Sequence, residues 1–139
     1  LKTIVVNNKS NKKPVGGVLN DICMFLTDFI SNNVDLNKDV FFVREKFVSK
    51  HNSINEANIF KAVGISDLVS WKINKDWAEI YPVSIKKIIT GNGFATKEEV
   101  AKDLKRYIGN VDFEFDDESD AVAVAISYLI QNGVTSIVI

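Results

Sequence analysis

The sequence predicts an α/β or mixed α+β fold, because short apolar and β-branched runs alternate along it with stretches of helical periodicity. Its 139 residues, 46% of them hydrophobic, are enough for one globular domain with a core, which we assign to residues 1–139. The formal net charge of −1 neither indicates nor excludes a nucleic-acid partner, since local clusters of charge set the field that a phosphate backbone experiences.

Three features of the composition restrict the possible functions. A single cysteine, Cys23, excludes a disulfide within the chain and suits a reducing cytoplasm. A single histidine, His51, excludes a multi-histidine metal site and leaves carboxylates as the expected ligands of any metal ion. No run approaches the length of a membrane span and no secretory signal pattern is present, so we expect a cytoplasmic protein with no membrane partner.

The N-terminal half is predicted to hold two strands and two helices. Residues 1–6 are apolar and β-branched, as in a strand, and the polar residues 7–17 are typical of a loop. Helical spacing of apolar residues extends from Val18 to about Asn32. The nearly continuous apolar run 39–45 indicates a strand buried on both faces. A second helix, from about Ile54 to Trp71, has six probable core positions: Ala57, Phe60, Val63, Ile65, Leu68 and Val69.

Shorter elements follow in the middle of the chain. Residues 79–83 are predicted to form a short strand, and Pro82 within it indicates a position at or near a sheet edge. Residues 84–89 fit a brief helix, and the T-G-N-G segment at 90–93 is typical of a turn.

The C-terminal part predicts two more helices. Thr96 and Glu99 have the spacing of a capping box, which begins a helix that extends to about Ile108. The final helix is predicted over residues 117–131, and residues 135–139 remain as an extended tail.

Acidic residues are concentrated where the final helix begins, in the D-D-E-S-D segment at 116–120. Asp117 and Asp120 are three residues apart, so on a helix they share one face. Carboxylates held close together repel unless a cation or a shared proton neutralises them, and Mg2+ accepts such oxygen ligands. The simpler explanation is that these acids cap free N–H groups and oppose the helix macrodipole. The segment alone leaves both explanations open.

Glu45 is a second candidate, because it ends a predicted buried strand. In open α/β sheets, ligands bind outside the carboxyl ends of the strands. A surface carboxylate paired with Arg44 or Lys46 is the alternative. Together with Asp117 and Asp120, Glu45 would place an acid at a sheet end opposite an acidic helix N-terminus. Such an arrangement can hold two metal ions for in-line attack on a phosphodiester.

Three blocks of the sequence resemble the RuvC group of Holliday-junction resolvases, which have an RNase H-like fold. Residues 43–52 (V-R-E-K-F-V-S-K-H-N) resemble a block with a strand-end Glu, hydrophobic residues and an Asn. Residues 83–100 contain V-S-I-K-K-I-I-T-G-N-G and the later A-x-K-x-x-V, similar to the family's VKxxVxGxG…AxKxxV. Residues 117–125 (D-E-S-D-A-V-A-V-A) resemble the family's DAADALAIA. Order and spacing agree over residues 39–129. The resemblance therefore implies an RNase H-like mixed sheet flanked by helices.

The resemblance also implies roles for individual residues. Three are implied to be catalytic acids that bind the metal ions: Glu45, Asp117 and Asp120. Lys86 would contact a DNA phosphate close to the cut. Four further DNA contacts are expected: Lys50, His51, Asn52 and Lys87. Phe47 stands one position earlier than the family's Phe that probes the junction centre, and a core or dimer-interface role is an alternative for it.

One departure from the family pattern concerns a fourth acid. RuvC-like sites have an Asp in the first strand, whereas in this chain no Asp precedes Asp21, which falls in the first predicted helix. We therefore expect residues 1–6 to correspond to a later strand, with the opening strands and their Asp upstream. A polypeptide that consisted of these 139 residues alone would then have no nuclease activity or a badly impaired one. A less favoured alignment places Asn7 where that Asp should be.

The function that the resemblance implies is cleavage of Holliday junctions and other branched DNA, in recombination or DNA packaging. The expected cofactor is Mg2+, with Mn2+ as a substitute. The near two-fold symmetry of a four-way junction favours a homodimer, for which the helix at 54–71 could supply the interface. Two alternatives remain: an RNase H-like nuclease with other substrates, and a catalytically silent module that binds branched DNA. With the near-neutral charge and compact length, the resemblance suggests a small version of the family encoded by a bacteriophage.

Overall fold

The computed structural model describes residues 13–49 and 54–134, and the side chains of 54 and 55 are not described. The strand predicted at 1–6, most of the predicted loop at 7–17 and the tail at 135–139 lie outside this range. The described elements are, in chain order, α1 (Val15–Asn33), β1 (Phe42–Glu45), α2 (Ile54–Lys72), β2 (Trp77–Ile80), α3 (Pro82–Thr90), α4 (Lys97–Ile108) and α5 (Asp116–Gln131). Within this part of the chain, no helix is long and apolar enough to cross a membrane.

The described residues divide into two compact units. The first contains residues 43–48 and 78–134, with most of β1 and β2 and all of α3, α4 and α5. The second contains residues 13–42, 49 and 54–77, with α1 and α2. The order of strands and helices confirms the predicted mixed α/β class.

The core of the first unit lies where α3, α4 and α5 pack together. Leu104 on α4 is fully buried, and Ile89 on α3 is 2% exposed. α5 contributes a run of small and β-branched residues, among which Ala123 is 1% exposed. Small side chains on α5 allow its backbone to approach α3 and α4 closely, and the aliphatic residues around them fill the remaining space. The helices of this unit are therefore firmly packed.

Local signals explain where α3 and α4 begin and end. Pro82 occupies the first turn of α3, where its fixed φ fits and its missing N–H is not needed. The strand predicted at 79–83 is therefore placed too late in the sequence: β2 covers Trp77–Ile80, and Pro82 begins a helix. Gly91 ends α3 in the left-handed conformation with φ of 80°. The capping box of Thr96 and Glu99 at the start of α4 is confirmed.

The two strands pair as neighbours in a small sheet. Arg44 faces Glu79, and the Lys46 N–H donates to the Ile80 carbonyl at 2.8 Å, so the contacts advance along both strands in the same direction, as in a parallel pair. β1 is shorter than the predicted strand at 39–45, and its first three residues are half-buried. The prediction that this strand is buried on both faces is therefore wrong for the described residues.

The second unit is a helix pair in which α1 packs against α2. α1 begins at Val15, within the stretch predicted as a loop, so that Gly16 and Gly17 are helical. Of the core positions predicted on α2, Val69 is buried, and Val63 and Ile65 are half-buried. The remaining three are exposed, which corrects the prediction for Ala57, Phe60 and Leu68. α2 itself carries apolar residues on more than one face. Phe60 precedes Val69 by about two and a half turns and so lies on the opposite face of the helix.

Candidate active site

A pocket of about 110 Å3 opens in the first unit, where the end of β1 meets α3, α4 and α5. Its wall combines apolar residues with two carboxylates and two lysines: Glu45, Pro82, Ile85, Lys86, Lys97, Val100, Asp120 and Ala123. Three of the predicted site residues, Glu45, Lys86 and Asp120, therefore lie around one cavity although they are far apart in the sequence.

Glu45 reaches the pocket because it is the last residue of β1. Side chains alternate along a strand, so Glu45 and Arg44 point to opposite faces. Arg44 forms an ion pair with Glu79 at 2.8 Å, and Lys46 lies 3.9 Å from the same carboxylate. The cations next to Glu45 in the sequence thus have an acidic partner on β2.

Asp120 lies one turn into α5, on the same face as the pocket residue Ala123. The Lys97 Nζ donates to Asp120 Oδ2 at 2.8 Å. Lys97 is the first residue of α4, and the capping box at Thr96 fixes the start of that helix. The start of α4 therefore places an ammonium group directly against the Asp120 carboxylate.

The charges around the pocket act on one another. Partial burial raises the pKa of Glu45, and the negative charge of Asp120 raises it further, while Lys97 and Lys86 oppose both effects. The hydrogen bond and the charge of Asp120 raise the pKa of Lys97. A bound cation would reduce the repulsion between the two carboxylates. In this structure the ammonium group of Lys97 partly neutralises Asp120.

Asp117 differs from the other two predicted acids. It is exposed and does not line the pocket, although its charge contributes to the raised pKa of Lys97. Among the residues that the structure describes, no three His, Cys, Asp or Glu side chains are close enough to hold one metal ion. The structure thus brings Glu45 and Asp120 together at the pocket and leaves Asp117 at its periphery.

The other predicted DNA contacts have different positions. Lys87 is exposed on α3 and does not line the pocket. Phe47 follows β1 and is half-buried. Lys50, His51 and Asn52 lie outside the described residues.

Lys97 is the site residue that the sequence reasoning missed. It appears there only as a member of the A-x-K-x-x-V block. A signal was available, since a lysine at the first position of a helix lies at the positive end of the macrodipole and is unfavourable there unless an acid compensates it. That acid, Asp120, is 23 residues later in the sequence, so only the packing of α4 against α5 reveals the pair.

Two solved structures are similar to this chain. The structure of Thermus thermophilus RuvC covers 96% of this chain and 80% of the RuvC chain, with a TM-score of 0.76 and 20% sequence identity. The structure of T. thermophilus RuvC in complex with a Holliday junction substrate covers 91% of this chain and 76% of the RuvC chain, with a TM-score of 0.75 and 18% sequence identity. At these identities the likeness shows the fold, and it confirms the predicted RuvC-like architecture.

Sequence comparison identifies closer relatives, all named crossover junction endodeoxyribonuclease RuvC. The protein from Campylobacter jejuni strain 81116 is 41% identical over 66 residues, which are 47% of this chain and 42% of the relative. That from Sulfurovum sp. strain NBC37-1 is 33% identical over 96 residues, 66% of this chain and 54% of the relative. The protein from Dictyoglomus turgidum is 32% identical over 107 residues, which are 76% of this chain and 67% of the relative. This chain spans about half the length of the first two relatives.

The family model described as crossover junction endodeoxyribonuclease RuvC matches residues 1–128, a range that includes β1, α3, α4 and nearly all of α5. The three blocks that suggested the resemblance, at 43–52, 83–100 and 117–125, all lie within this match. The chain belongs to the RuvC family of crossover junction endodeoxyribonucleases.

Proposed function

We propose that this chain acts as a divalent-metal-dependent, structure-selective endonuclease that cleaves Holliday junctions and other branched DNA, in recombination or DNA packaging. The observation that carries the proposal is the pocket itself. Glu45 and Asp120 come from a strand and a helix that are distant in sequence, and they meet beside Lys86 and Lys97. Membership of the RuvC family and the junction-bound RuvC structure support the choice of substrate.

The residues at the pocket fit a hard divalent cation, for which we propose Mg2+ with Mn2+ as a substitute. Glu45 and Asp120 supply oxygen ligands of the preferred kind, and the negative charge of Asp120 adds to the effect of burial in raising the pKa of Glu45. Asp117, three residues before Asp120, is the third proposed ligand. A cation bound there would generate a nucleophilic hydroxide at neutral pH and would neutralise charge on the phosphate.

The proposed role of the lysines is to bind the phosphates of the DNA. Lys86 and Lys97 place two ammonium groups at the pocket, where they can bind the phosphates on either side of the cut. Lys87 is exposed on the same helix as Lys86 and extends this basic surface. Phe47, Lys50, His51 and Asn52 complete the proposed DNA-binding set.

A homodimer is the proposed assembly, because two sites related by two-fold symmetry match the symmetry of a four-way junction. α2 presents apolar side chains to solvent, among them Phe60 at 54% and Leu68 at 43% exposure. A second copy of the chain would bury this exposed apolar surface. We propose that the dimer acts in the cytoplasm. The bacteriophage origin stays a prediction.

A second candidate function is a catalytically silent module that binds branched DNA. The observation in its favour is that the described residues supply two convergent acids at the pocket and no group of three. In that case junction binding would persist without cleavage under any metal condition.

A comparison of substrates separates these possibilities. A four-way junction, a Y-shaped fork and an RNA–DNA hybrid are each incubated with the chain in Mg2+, Mn2+ or EDTA. The proposed function predicts metal-dependent cleavage of the junction and the fork. Binding of the junction without cleavage would be the result expected of the silent module, and equally of a nuclease that lacks the first-strand Asp. Preferential cleavage of the hybrid would identify a different RNase H-like nuclease.

A further inference from the structure

Phe94 is the most exposed large hydrophobic side chain among the described residues, at 91% exposure. It lies in the short connection between α3 and α4, which carry Lys86 and Lys97 respectively. A phenylalanine that is almost entirely in water contributes little to folding. Its position between the two helices that carry Lys86 and Lys97 makes the ring available for an intermolecular contact.

The connection that carries Phe94 is held in place from both sides. The Phe94 N–H donates to Asn92 Oδ1 at 3.0 Å, and the Asn92 N–H donates to Thr90 Oγ1 at 3.0 Å. Gly93 packs so closely on α3 that a Cβ there would lie 2.9 Å from the Val83 Cγ1. Ala95, directly after Phe94, is 1% exposed and anchors the chain in the core. The exposed ring thus projects from a fixed backbone and needs little ordering on binding.

Two other exposed apolar side chains, Tyr81 and Val83, lie at the start of α3, and Val83 lies against Gly93 in the segment that carries Phe94. Tyr81 and Val83 are 52% and 57% exposed and flank the pocket residue Pro82. Val83 lies three residues before Lys86 on α3, and Phe94 lies three residues before Lys97. The connection that carries Phe94 thus joins the two helices that hold the lysines proposed to bind phosphate.

We propose that Phe94 stacks on a base exposed at the branch point of the DNA and helps the protein to distinguish branched from linear duplex DNA. The inference rests on the proposed function. Within a continuous duplex both faces of each base pair are covered by neighbours, whereas stacking is interrupted at a branch point. An aromatic ring beside a basic surface is the chemistry that proteins use to bind uncovered bases. The half-buried Phe47 has a smaller free surface for this contact.

The test measures the binding of Phe94 variants to a four-way junction and to a linear duplex, by fluorescence anisotropy in EDTA at one salt concentration. F94A should weaken junction binding by about tenfold and leave duplex binding unchanged, because one lost stacking contact is of this size. F94Y and F94W should bind the junction within about twofold of the wild type, and F94L should resemble F94A. M24A, which removes a side chain 57% exposed on α1, is the control and should change neither affinity.

The outcomes distinguish this inference from the proposed function. A wild-type chain that binds the junction no better than the duplex would overturn both. A wild type that prefers the junction, with an F94A variant that shows the same preference, would overturn only the role of Phe94. Equal losses on junction and duplex, or an F94L variant that binds as well as the wild type, would contradict stacking on an exposed base. Because Phe94 is so exposed, F94A should unfold at the same temperature as the wild type, which excludes misfolding as the cause.

Discussion

The two compact units of this chain bury their apolar residues to very different extents. In the unit of α3, α4 and α5, a cluster of aliphatic side chains that includes Leu104 is less than a tenth exposed. In the α1–α2 unit, the buried residues among those described are Ile30, Val69 and Ser70. The first unit holds its side chains in a buried core, whereas the second exposes apolar side chains on α2. We infer that chemistry and assembly are divided between them.

The largest expected effect is on catalysis in the first unit. D120N should reduce cleavage of a four-way junction by at least about a hundredfold, because it removes one of the two carboxylates at the pocket. Binding of the junction should stay within about twofold of the wild type. D112N is the matched control, since the Asp112 side chain is 99% exposed and should leave cleavage unchanged. Parallel loss of cleavage and binding in D120N would indicate a structural role for Asp120.

Stability should differ between the units for the same change of side chain. L104A creates a cavity at a fully buried position and should lower the free energy of unfolding by about 3 kcal/mol. L68A, at a position 43% exposed on α2, should lower it by less than about 1 kcal/mol in dilute solution. Chemical denaturation measures both. A larger loss in L68A than in L104A would contradict the comparison. Weaker dimerisation of L68A in analytical ultracentrifugation would sharpen it.

Lys97 provides a smaller and more specific test. Because its ammonium group lies 2.8 Å from Asp120 Oδ2, it competes with any cation for that carboxylate. K97M should therefore bind Mn2+ about fivefold more tightly in calorimetry, since an exposed ion pair contributes up to about 1 kcal/mol. K105M, which removes the ion pair of Lys105 with Asp112, should leave Mn2+ affinity unchanged. Weaker Mn2+ binding by K97M would show that Lys97 supports the metal site instead.

The smallest expected effect is the pH dependence caused by Glu45. Its pKa is raised above 4.5 in the folded chain, so its ionised form is less favourable there than in the unfolded chain. Replacement by Gln should thus increase the stability of the metal-free chain at pH 7, by less than about 1 kcal/mol because the side chain is exposed. The gain should disappear as pH falls below 4.5, where Glu45 is protonated in both states. Thermal unfolding of E45Q and wild type at pH 7 and pH 4 measures this, and an unchanged difference between the two pH values would contradict it.

The sequence predicted the elements whose signals are local. The capping box at Thr96 and the final helix, which starts at Asp116, follow from patterns within a few residues and were confirmed. The wrong predictions concerned features that depend on packing or that a local signal leaves ambiguous. The exposure of Phe60 on α2 depends on which face packs against α1, and Pro82 could be read equally as an edge-strand residue or as the start of a helix.

The candidate site was predictable only in part for the same reason. Glu45 and Asp120 were identified from a strand end and a helix start, together with the family resemblance, and the structure places both at one pocket. The Lys97–Asp120 ion pair was not predicted, because it depends on how α4 packs against α5. The spacing of Asp117 and Asp120 predicts that they share a helix face, but of the two only Asp120 lines the pocket.

Mn2+ binding measured by calorimetry tests the central claim most directly, namely that Glu45 and Asp120 form one cation site. The wild-type chain should bind Mn2+, and E45Q and D120N should each weaken that binding by at least about tenfold, because both carboxylates face the same pocket. D112N should bind as the wild type does. Wild-type affinity in either E45Q or D120N would contradict the account, because the cation would then be held elsewhere or by one acid alone.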